Sequence, residues 1–189
     1  MLVLALSALA VLSPLFAWRW PAGLLLNRWR WPILIWAALA IQLVIFKVEI
    51  PHALAATLHV ATYAAAVAFL WLNRAFPGVL IVGVGALCNG VAIALNGGSL
   101  PASEAAREAA GIEANPAFDN STVIEDPVLP WLGDVFAWPA PLPLANTFSV
   151  GDVIIVVGVA VAAWSGARRI GRADHSPESP AEPSSQESG

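Results

Sequence analysis

The sequence predicts an all-α membrane protein, a bundle of five transmembrane helices with its N-terminus outside and its C-terminus in the cytoplasm. Hydrophobic residues make up 58% of the chain and charged residues 12%, whereas roughly 25% charged residues are usual in soluble domains. The apolar residues fall in blocks of membrane-spanning length. Basic residues gather in the connections that this topology assigns to the cytoplasm. These three observations together predict the fold class.

Five apolar blocks are predicted to cross the bilayer, at about residues 1–17, 32–48, 53–72, 78–95 and 148–167. The first block lacks the basic residues that precede the apolar core of a signal peptide, so we expect an uncleaved helix. The segment 18–31 mixes four tryptophans with arginines, as interfacial belts do. The fourth block should end at Asn96, Gly97 and Gly98, because consecutive glycines terminate helices. Residues 1–167 therefore form one transmembrane unit.

Two further segments are predicted outside the helices. Residues 96–147 form a long outer loop, in which residues 97–147 carry seven acidic side chains and one basic side chain, Arg107. Residues 103–110 can form a short surface helix, and the prolines beyond them keep the chain extended or turning. Aromatic residues indicate that the second half of the loop lies on the membrane surface: Trp131, Phe136 and Trp138. Residues 168–189, rich in Ser, Pro and Glu, are predicted to be a disordered cytoplasmic tail.

The orientation is predicted from the distribution of basic residues. With the N-terminus outside, seven arginines fall on the cytoplasmic side: Arg19, Arg28, Arg30, Arg74, Arg168, Arg169 and Arg172. Only Lys47 and Arg107 fall outside. Because cytoplasmic connections carry the excess of basic residues, this bias predicts the orientation of the multi-pass bundle.

Polar side chains from several spans are predicted to meet in the outer leaflet. Gln42, His59 and Asn89 each lie six residues from the outer end of a span, roughly 9 Å deep at the helical rise. Gly85, Asn89, Ala92 and Asn96 form a small and polar stripe suited to facing another helix, and Tyr63 lies one turn from His59. Such groups serve either as hydrogen-bonding contacts between helices or as lining of a site.

The carboxylates at the outer end have two interpretations. Asp152 lies in the first turn of the last span, where it complements the helix dipole with Ser149 as N-cap. Alternatively, Asp152 belongs to a functional site, since a carboxylate in a membrane helix is costly unless it is paired. The other acids of the loop are expected to form a solvated face. Asp134, in the segment Leu132-Gly133-Asp134, is the loop acid that we treat as a candidate site residue. We therefore expect a shallow outer site that includes these two carboxylates, with the acidic loop as its lid.

Several classes of partner and cofactor are not expected. Basic residues never form a patch with interleaved aromatics, as nucleic-acid binding requires. The single cysteine, Cys88, excludes an internal disulfide. His52 and His59 lack partners at metal-ligand spacing, and no phosphate-binding loop or nucleophile motif is present, so we expect neither metal nor cofactor. The expected partners are the bilayer and a lipid or membrane protein at the outer face.

Several motifs together resemble a known family. They are Gln42, Leu58-His59 with Tyr63, Asn73, Gly85 with Asn89, Asn96-Gly97-Gly98-Ser99-Leu100-Pro101, Leu132-Gly133-Asp134 and Phe148-Ser149-Val150-Gly151-Asp152. With these motifs, residues 1–167 resemble the DUF5317 family of bacterial integral membrane proteins, whose function is not assigned. Leu100 departs from the family pattern, which has methionine there. The resemblance implies a bacterial plasma-membrane topology and no particular activity.

A narrower similarity concerns lipoprotein signal peptidase. The segment that begins at Phe148 is similar to the Phe-Asn-x-Ala-Asp opening of that enzyme's last helix, and residues 85–89 are similar to its Gly-Ala-x-Gly-Asn segment. The enzyme's other catalytic aspartate corresponds to Ala92, so the dyad is missing unless Asp134 folds back to Asp152. Two carboxylates that share a proton are what an aspartyl protease needs.

Three functional hypotheses follow. The favoured one is a membrane protein, without catalytic activity, whose outer polar cluster packs the bundle or binds a lipid or protein partner. The second is an intramembrane aspartyl hydrolase that uses Asp134 and Asp152. The third is a small transporter, although the apolar cytoplasmic halves of the spans offer no polar path through the membrane.

Overall fold

A helix occupies most of each predicted apolar block in the computed structural model, which describes residues 2–48, 50–112 and 121–170. The helices are α1 Leu2–Leu12, α2 Ala22–Leu25, α3 Ile33–Lys47, α4 His52–Leu72, α5 Val79–Leu95, α6 Glu104–Ala110 and α7 Val150–Trp164. The short strands are β1 Arg19–Trp20, β2 Leu100–Pro101, β3 Ser121–Thr122, β4 Phe136–Trp138, β5 Asn146–Phe148 and β6 Arg168–Arg169. Residues 113–120 of the predicted loop, Arg172 and most of the predicted tail lie outside the described residues.

The first apolar block changes its helical form before it ends. After α1, residues Ser13–Ala17 form a 3₁₀ helix with Pro14 in its first turn. Proline has no N–H to continue the α-helical hydrogen bonds, so a change at this point is expected. Trp18 then adopts a left-handed conformation with φ of 52° and ends the segment.

The long helices pack as a row in the order α3, α4, α5, α7 and α1. Short connections make α3, α4 and α5 antiparallel. α7 is antiparallel to α5, because Gly85 lies against Gly151 and Gly78 against Gly158. α1 runs parallel to α7, because Val3 and Leu6 lie beside Asp152 while Trp164 Nε1 donates to Ser13 Oγ at the other end (2.8 Å). The bundle thus has two ends: the capped end, where α4 and α7 begin, and the basic end, where they finish.

Glycines bring α5 and α7 close together. A Cβ built at Gly85 would lie 2.5 Å from the Gly151 carbonyl oxygen, and one at Gly158 would lie 2.6 Å from the Val82 nitrogen. Small residues allow such a close approach of two helix backbones. Two residues of the predicted small and polar stripe of α5, Gly85 and Asn89, therefore face α7.

The basic end is held together by backbone pairing and by Asn73. β1 and β6 form an antiparallel pair that joins Arg19 to Arg169. Asn73 Oδ1 accepts from the Arg30 nitrogen (2.8 Å), and its Nδ2 donates to the Arg30 carbonyl (3.0 Å). Trp29 packs between Phe69 and Phe76. The interfacial segment predicted from tryptophans and arginines is thereby fixed against α4.

The predicted outer loop has more structure than its prolines indicated. We name residues 96–112 and 121–149, which contain the described part of this loop and the first two residues of the predicted last span, the cap. Within the cap β2 pairs in parallel with β3, and β4 pairs with β5 in an antiparallel ladder. Helix α6 has Ser103 as N-cap, but it is not merely a surface helix, because Ala106, Arg107 and Ala110 are buried. The prediction of a mainly extended or turning loop was therefore incomplete.

One helix among the described residues, α4, is long and apolar enough to cross a membrane. Four further apolar helices have between 10 and 17 residues: Leu2–Ala17, Ile33–Ile45, Val79–Leu95 and Val150–Trp164. The chain is mostly helical, as predicted, and the five-span topology stays a prediction.

Candidate functional site

Three polar side chains form a closed network where α7 begins. Asn89 Nδ2 donates to Asp152 Oδ1 (2.9 Å), and Ser149 Oγ donates to Asn89 Oδ1 (2.9 Å). Ser149 and Asp152 also form a capping box: the Asp152 nitrogen donates to Ser149 Oγ and the Ser149 nitrogen donates to Asp152 Oδ2, both at 3.0 Å. The capping interpretation of Ser149 and Asp152 is confirmed.

The network requires the close approach of α5 and α7. A Cβ built at Gly151 would overlap Asn89 Oδ1, so only glycine leaves room for the amide at that position. Asn89 and Ser149 are both buried. Since a buried polar group without a partner costs about 1–3 kcal/mol, the hydrogen bonds of Asn89 and Ser149 are what makes their burial tolerable.

His59 joins α4 to the start of the cap. Its side chain is 0% exposed, and its Nδ1 lies 2.7 Å from the Gly98 carbonyl oxygen. A carbonyl oxygen only accepts, so Nδ1 carries the proton of this hydrogen bond. Gly98 has a φ of +94°, and a Cβ there would overlap Ala56 of α4. Glycine at this position therefore lets the chain turn directly over α4, while the His59 ring meets Tyr63 edge-on at 5.4 Å.

Gln42 reaches the same region through a residue that the sequence analysis missed. Its Nε2 donates to Thr62 Oγ1 (2.7 Å), and that hydroxyl donates to the His59 carbonyl oxygen (2.6 Å). Thr62 lies three residues after His59, so the helical period was a signal that could have identified it. This chain of hydrogen bonds links α3 to α4.

Asn96 holds the cap at its edge. Its Nδ2 donates to the carbonyl oxygens of Ala92 (2.7 Å) and Val128 (2.8 Å), and its Oδ1 accepts from the Val128 nitrogen (2.8 Å). Gly97 follows with a φ of +70° and open space around it. Asn96 thus connects the last turn of α5 to the cap, away from the Asn89 network.

Asp134 is buried inside the cap, with 5% of its surface exposed. Its backbone nitrogen donates to the Pro101 carbonyl (2.8 Å), and its carbonyl accepts from the Ser103 nitrogen (3.0 Å). Thr147 Oγ1 donates to Asp134 Oδ2 (3.1 Å). Asp134 Oδ1 is buried without a hydrogen-bond partner among the described residues.

Burial raises the pKa of Asp134 to about 6. The Ser121 hydroxyl opposes this rise, although Ser121 Oγ and Asp134 Oδ1 have no hydrogen bond of regular geometry between them. The negative charge of Asp152 raises the pKa further, while Thr147 and the buried cation Arg107 lower it. Arg107 also donates from Nη1 to the Ser121 carbonyl oxygen (2.8 Å). The surroundings of Asp134 thus favour its neutral form more than water does.

The two carboxylates interact through space and not through a hydrogen bond. The negative charge of Asp152 disfavours ionisation of Asp134. Both carboxylates also interact electrostatically with Tyr63. In the part of the chain that the structure describes, no hydrogen bond joins them. Asp152 is bonded instead to Asn89 through Oδ1 and to the Ser149 backbone through Oδ2. The arrangement is two neighbouring acids with separate partners.

The structure therefore assembles most of the predicted site residues at the capped end, although not as one open site. Asn89, Ser149 and Asp152 form one network, and His59 links Gln42 to Gly98. Sequence reasoning missed Thr62 and Thr147, which bond to these groups or to Asp134. It also missed the role of Arg107, whose charge acts on Asp134. No set of three His, Cys, Asp or Glu residues within the described ranges is placed to hold a metal ion.

Comparison with known proteins identifies the family. DUF5317, a family of unknown function, matches residues 27–164. The chain belongs to the DUF5317 family. An uncharacterized protein of Thermotoga maritima is 31% identical over 93 residues, which are 48% of this chain and 52% of that protein. The match thus spans about half the length of that relative.

No solved structure matches this DUF5317 chain. The predicted resemblance to DUF5317 is confirmed. The narrower similarity to lipoprotein signal peptidase stays a prediction. Since the family has no assigned activity, any function must be argued from the geometry of the capped end.

Proposed function

We propose that this DUF5317 chain is a multi-pass protein of the bacterial plasma membrane with five spans, formed by α1, α3, α4, α5 and α7. Its N-terminus and cap lie outside, and its C-terminus lies in the cytoplasm. The buried polar groups hold the cap on the helices, and the cap presents the surface that meets a lipid or protein partner. The observation that carries this proposal is that side chains at the capped end of the helices bond to the backbone of the cap: His59 Nδ1 to the Gly98 carbonyl oxygen, and Asn96 to both backbone groups of Val128.

The outer surface of the helices supports a lipid environment. Only 17% of the apolar window of α4 is buried. Large apolar side chains are exposed on all five long helices: Leu4, Leu9, Trp36, Leu43, Leu54, Trp71, Leu80, Leu87 and Val157. Exposed apolar surface of this extent marks contact with a membrane or another protein. Four of the helices are shorter than about 20 residues, so the bilayer would thin around them or adjacent residues would complete their spans.

The charges support the proposed orientation. The arginines of the described residues other than Arg107 occur in the connections at the basic end, whereas Lys47 lies at the capped end. Excess basic residues favour the cytoplasmic side. Trp18, Trp20 and Trp31 are exposed at the same end, as aromatic residues are at membrane interfaces.

Hydrogen exchange of the reconstituted protein tests the structural role. The backbone amides of Ala102, Ser103 and Asp134 donate within the cap, so they should be protected. Asn96→Ala should raise their exchange rates about tenfold, as expected for the loss of roughly 1.4 kcal/mol of local stability. Thr57→Ala, which removes an exposed hydroxyl bonded only within α4, is the control. Cap amides that exchange freely in the unchanged protein would refute the proposal.

A second candidate, an aspartyl hydrolase, is favoured by one observation. Asp134 has a raised pKa, a buried unpaired oxygen and an ionisable neighbour, Asp152, which is the pattern of paired carboxylates with divergent roles. The capping box would have to open for Asp152 to reach a substrate. Asp134→Asn and Asp152→Asn should both abolish cleavage of a membrane-anchored reporter peptide, while Glu108→Gln leaves it unchanged. Cleavage that survives either aspartate substitution excludes this candidate.

A further inference from the structure

An apolar groove of about 510 Å³ runs between α4 and α5 on the surface of the bundle. Its volume falls within the range of ligand-binding clefts, about 300–1,000 Å³. Its walls are almost wholly apolar and include Val60, Tyr63, Trp71, Leu87, Gly90 and Ala94. Small residues on both helices leave the space, since a Cβ at Gly90 would already lie 3.3 Å from the Tyr63 ring.

The length of the groove matches one leaflet of a bilayer. Along α4 it extends from Val60 to Trp71, which is roughly 16 Å at the helical rise of about 1.5 Å per residue. Half of a hydrocarbon core about 30 Å thick is nearly the same distance. A single acyl chain that enters from the basic end would therefore end near Val60 and Tyr63.

A cation is fixed at the basic end of the groove. The Arg74 guanidinium carbon lies 4.5 Å from the centroid of the Trp71 ring. Arg74 Nη1 donates to the Trp71 carbonyl oxygen (2.9 Å). These contacts hold the guanidinium over the last residue of the groove, and Arg30, whose backbone is bonded to Asn73, brings a second arginine to the same end. Arginine binds phosphate through several donors at once.

We infer that this groove binds an anionic phospholipid, with one acyl chain between α4 and α5 and its phosphate at Arg74. The inference rests on the proposed membrane topology and adds a ligand to it. Charge complementarity and the one-leaflet length together favour a lipid. A partner helix would not need a cation at only one end, and a neutral ligand would gain nothing from Arg74.

Native mass spectrometry of the full chain, released from detergent, tests the inference. The probes are phosphatidylglycerol and phosphatidylcholine with identical acyl chains. The unchanged protein should retain one phosphatidylglycerol in preference to phosphatidylcholine. Arg74→Gln should reduce that preference about fivefold, the effect of roughly one basic residue at a lipid surface. Arg168→Gln, at the same end but outside the groove, is the matched control and should change it less than twofold.

A second pair of variants tests the groove itself. Ala68→Leu fills the groove and should weaken the binding of both lipids, whereas Ala61→Leu, exposed on the same helix but outside the groove, should not. Equal retention of the two lipids, or an unchanged preference in Arg74→Gln, overturns the inference. Lipid binding that Ala68→Leu leaves unchanged would also overturn the inference. So would a dimer of the chain that displaces the lipid from the groove. If the protein is recovered from membranes without detergent, the proposed membrane topology is wrong. That result differs from a failure of the lipid site alone, so the two proposals can be told apart.

Discussion

Replacing Asp134 with asparagine should stabilise the cap at neutral pH. It should also remove the part of the pH dependence of stability that comes from this acid. Burial raises the pKa of Asp134 from 3.8 to about 6. At about 1.4 kcal/mol per pKa unit, ionisation of this buried acid costs the folded state about 3 kcal/mol. Asparagine keeps an oxygen that can accept from Thr147 and carries no charge. The free energy of unfolding should therefore rise by up to about 3 kcal/mol at pH 7.

The direction of the pH dependence follows from proton binding. Between pH 3.8 and about 6 the folded protein holds the Asp134 proton more tightly than the unfolded chain does. Stability therefore falls as the pH rises through this window, and the whole cost is present above pH 6. The Asp134→Asn variant should show no such fall.

Thermal unfolding followed by tryptophan fluorescence, in one detergent at several values from pH 4 to pH 7.5, measures this effect. Glu108→Gln removes a negative charge from the exposed side of α6 and serves as the control, which should keep the pH dependence of the unchanged protein. If Asp134→Asn is less stable at pH 7, or retains the fall, then ionised Asp134 is stabilised by its surroundings and the reasoning is wrong.

Three other substitutions test the packing at both ends, each by thermal unfolding in detergent. Gly151→Ala should lower the free energy of unfolding by about 1–3 kcal/mol, because the added Cβ overlaps Asn89. Its control, Gly83→Ala, has room for a Cβ and should lower it by less than about 0.5 kcal/mol. Equal effects of the two substitutions would contradict the close crossing of α5 and α7. Asn89→Leu should cost about 1–3 kcal/mol, since Asp152 Oδ1 loses its partner; a neutral result would mean that water replaces the amide. Asn73→Ala should cost about 1–2 kcal/mol, and no change would show that the interfacial segment is held by other contacts.

The features that could be predicted from the sequence are those with a local or periodic cause. Apolar blocks of definite length located the helices, and the positions of Ser149 and Asp152 at the start of the last block indicated an N-cap and a first-turn acid. The stripe that contains Gly85 and Asn89 predicted a helix-facing surface. Each of these follows from residues a few positions apart, where helical geometry alone decides the contact.

The cap could not be predicted in the same way. Its strands have two or three residues each, and β2 pairs with β3 across about twenty residues, so no alternating pattern is long enough to identify them. Asp134 is surrounded by Pro101, Ser103 and Thr147, which come from separate segments of the cap. Its burial depends on the assembled cap, and an isolated acid in a loop gives no signal of that.

Labelling of single cysteines in intact cells tests the membrane topology most directly. In a Cys88→Ala background, cysteine is placed either at Glu108 in the cap or at Ala75 in the connection between α4 and α5, both exposed positions. A membrane-impermeant maleimide should label the Glu108→Cys protein in intact cells and the Ala75→Cys protein only after permeabilisation. Labelling of Ala75→Cys from outside, or recovery of the protein without membranes, would contradict a five-span bundle with its cap outside.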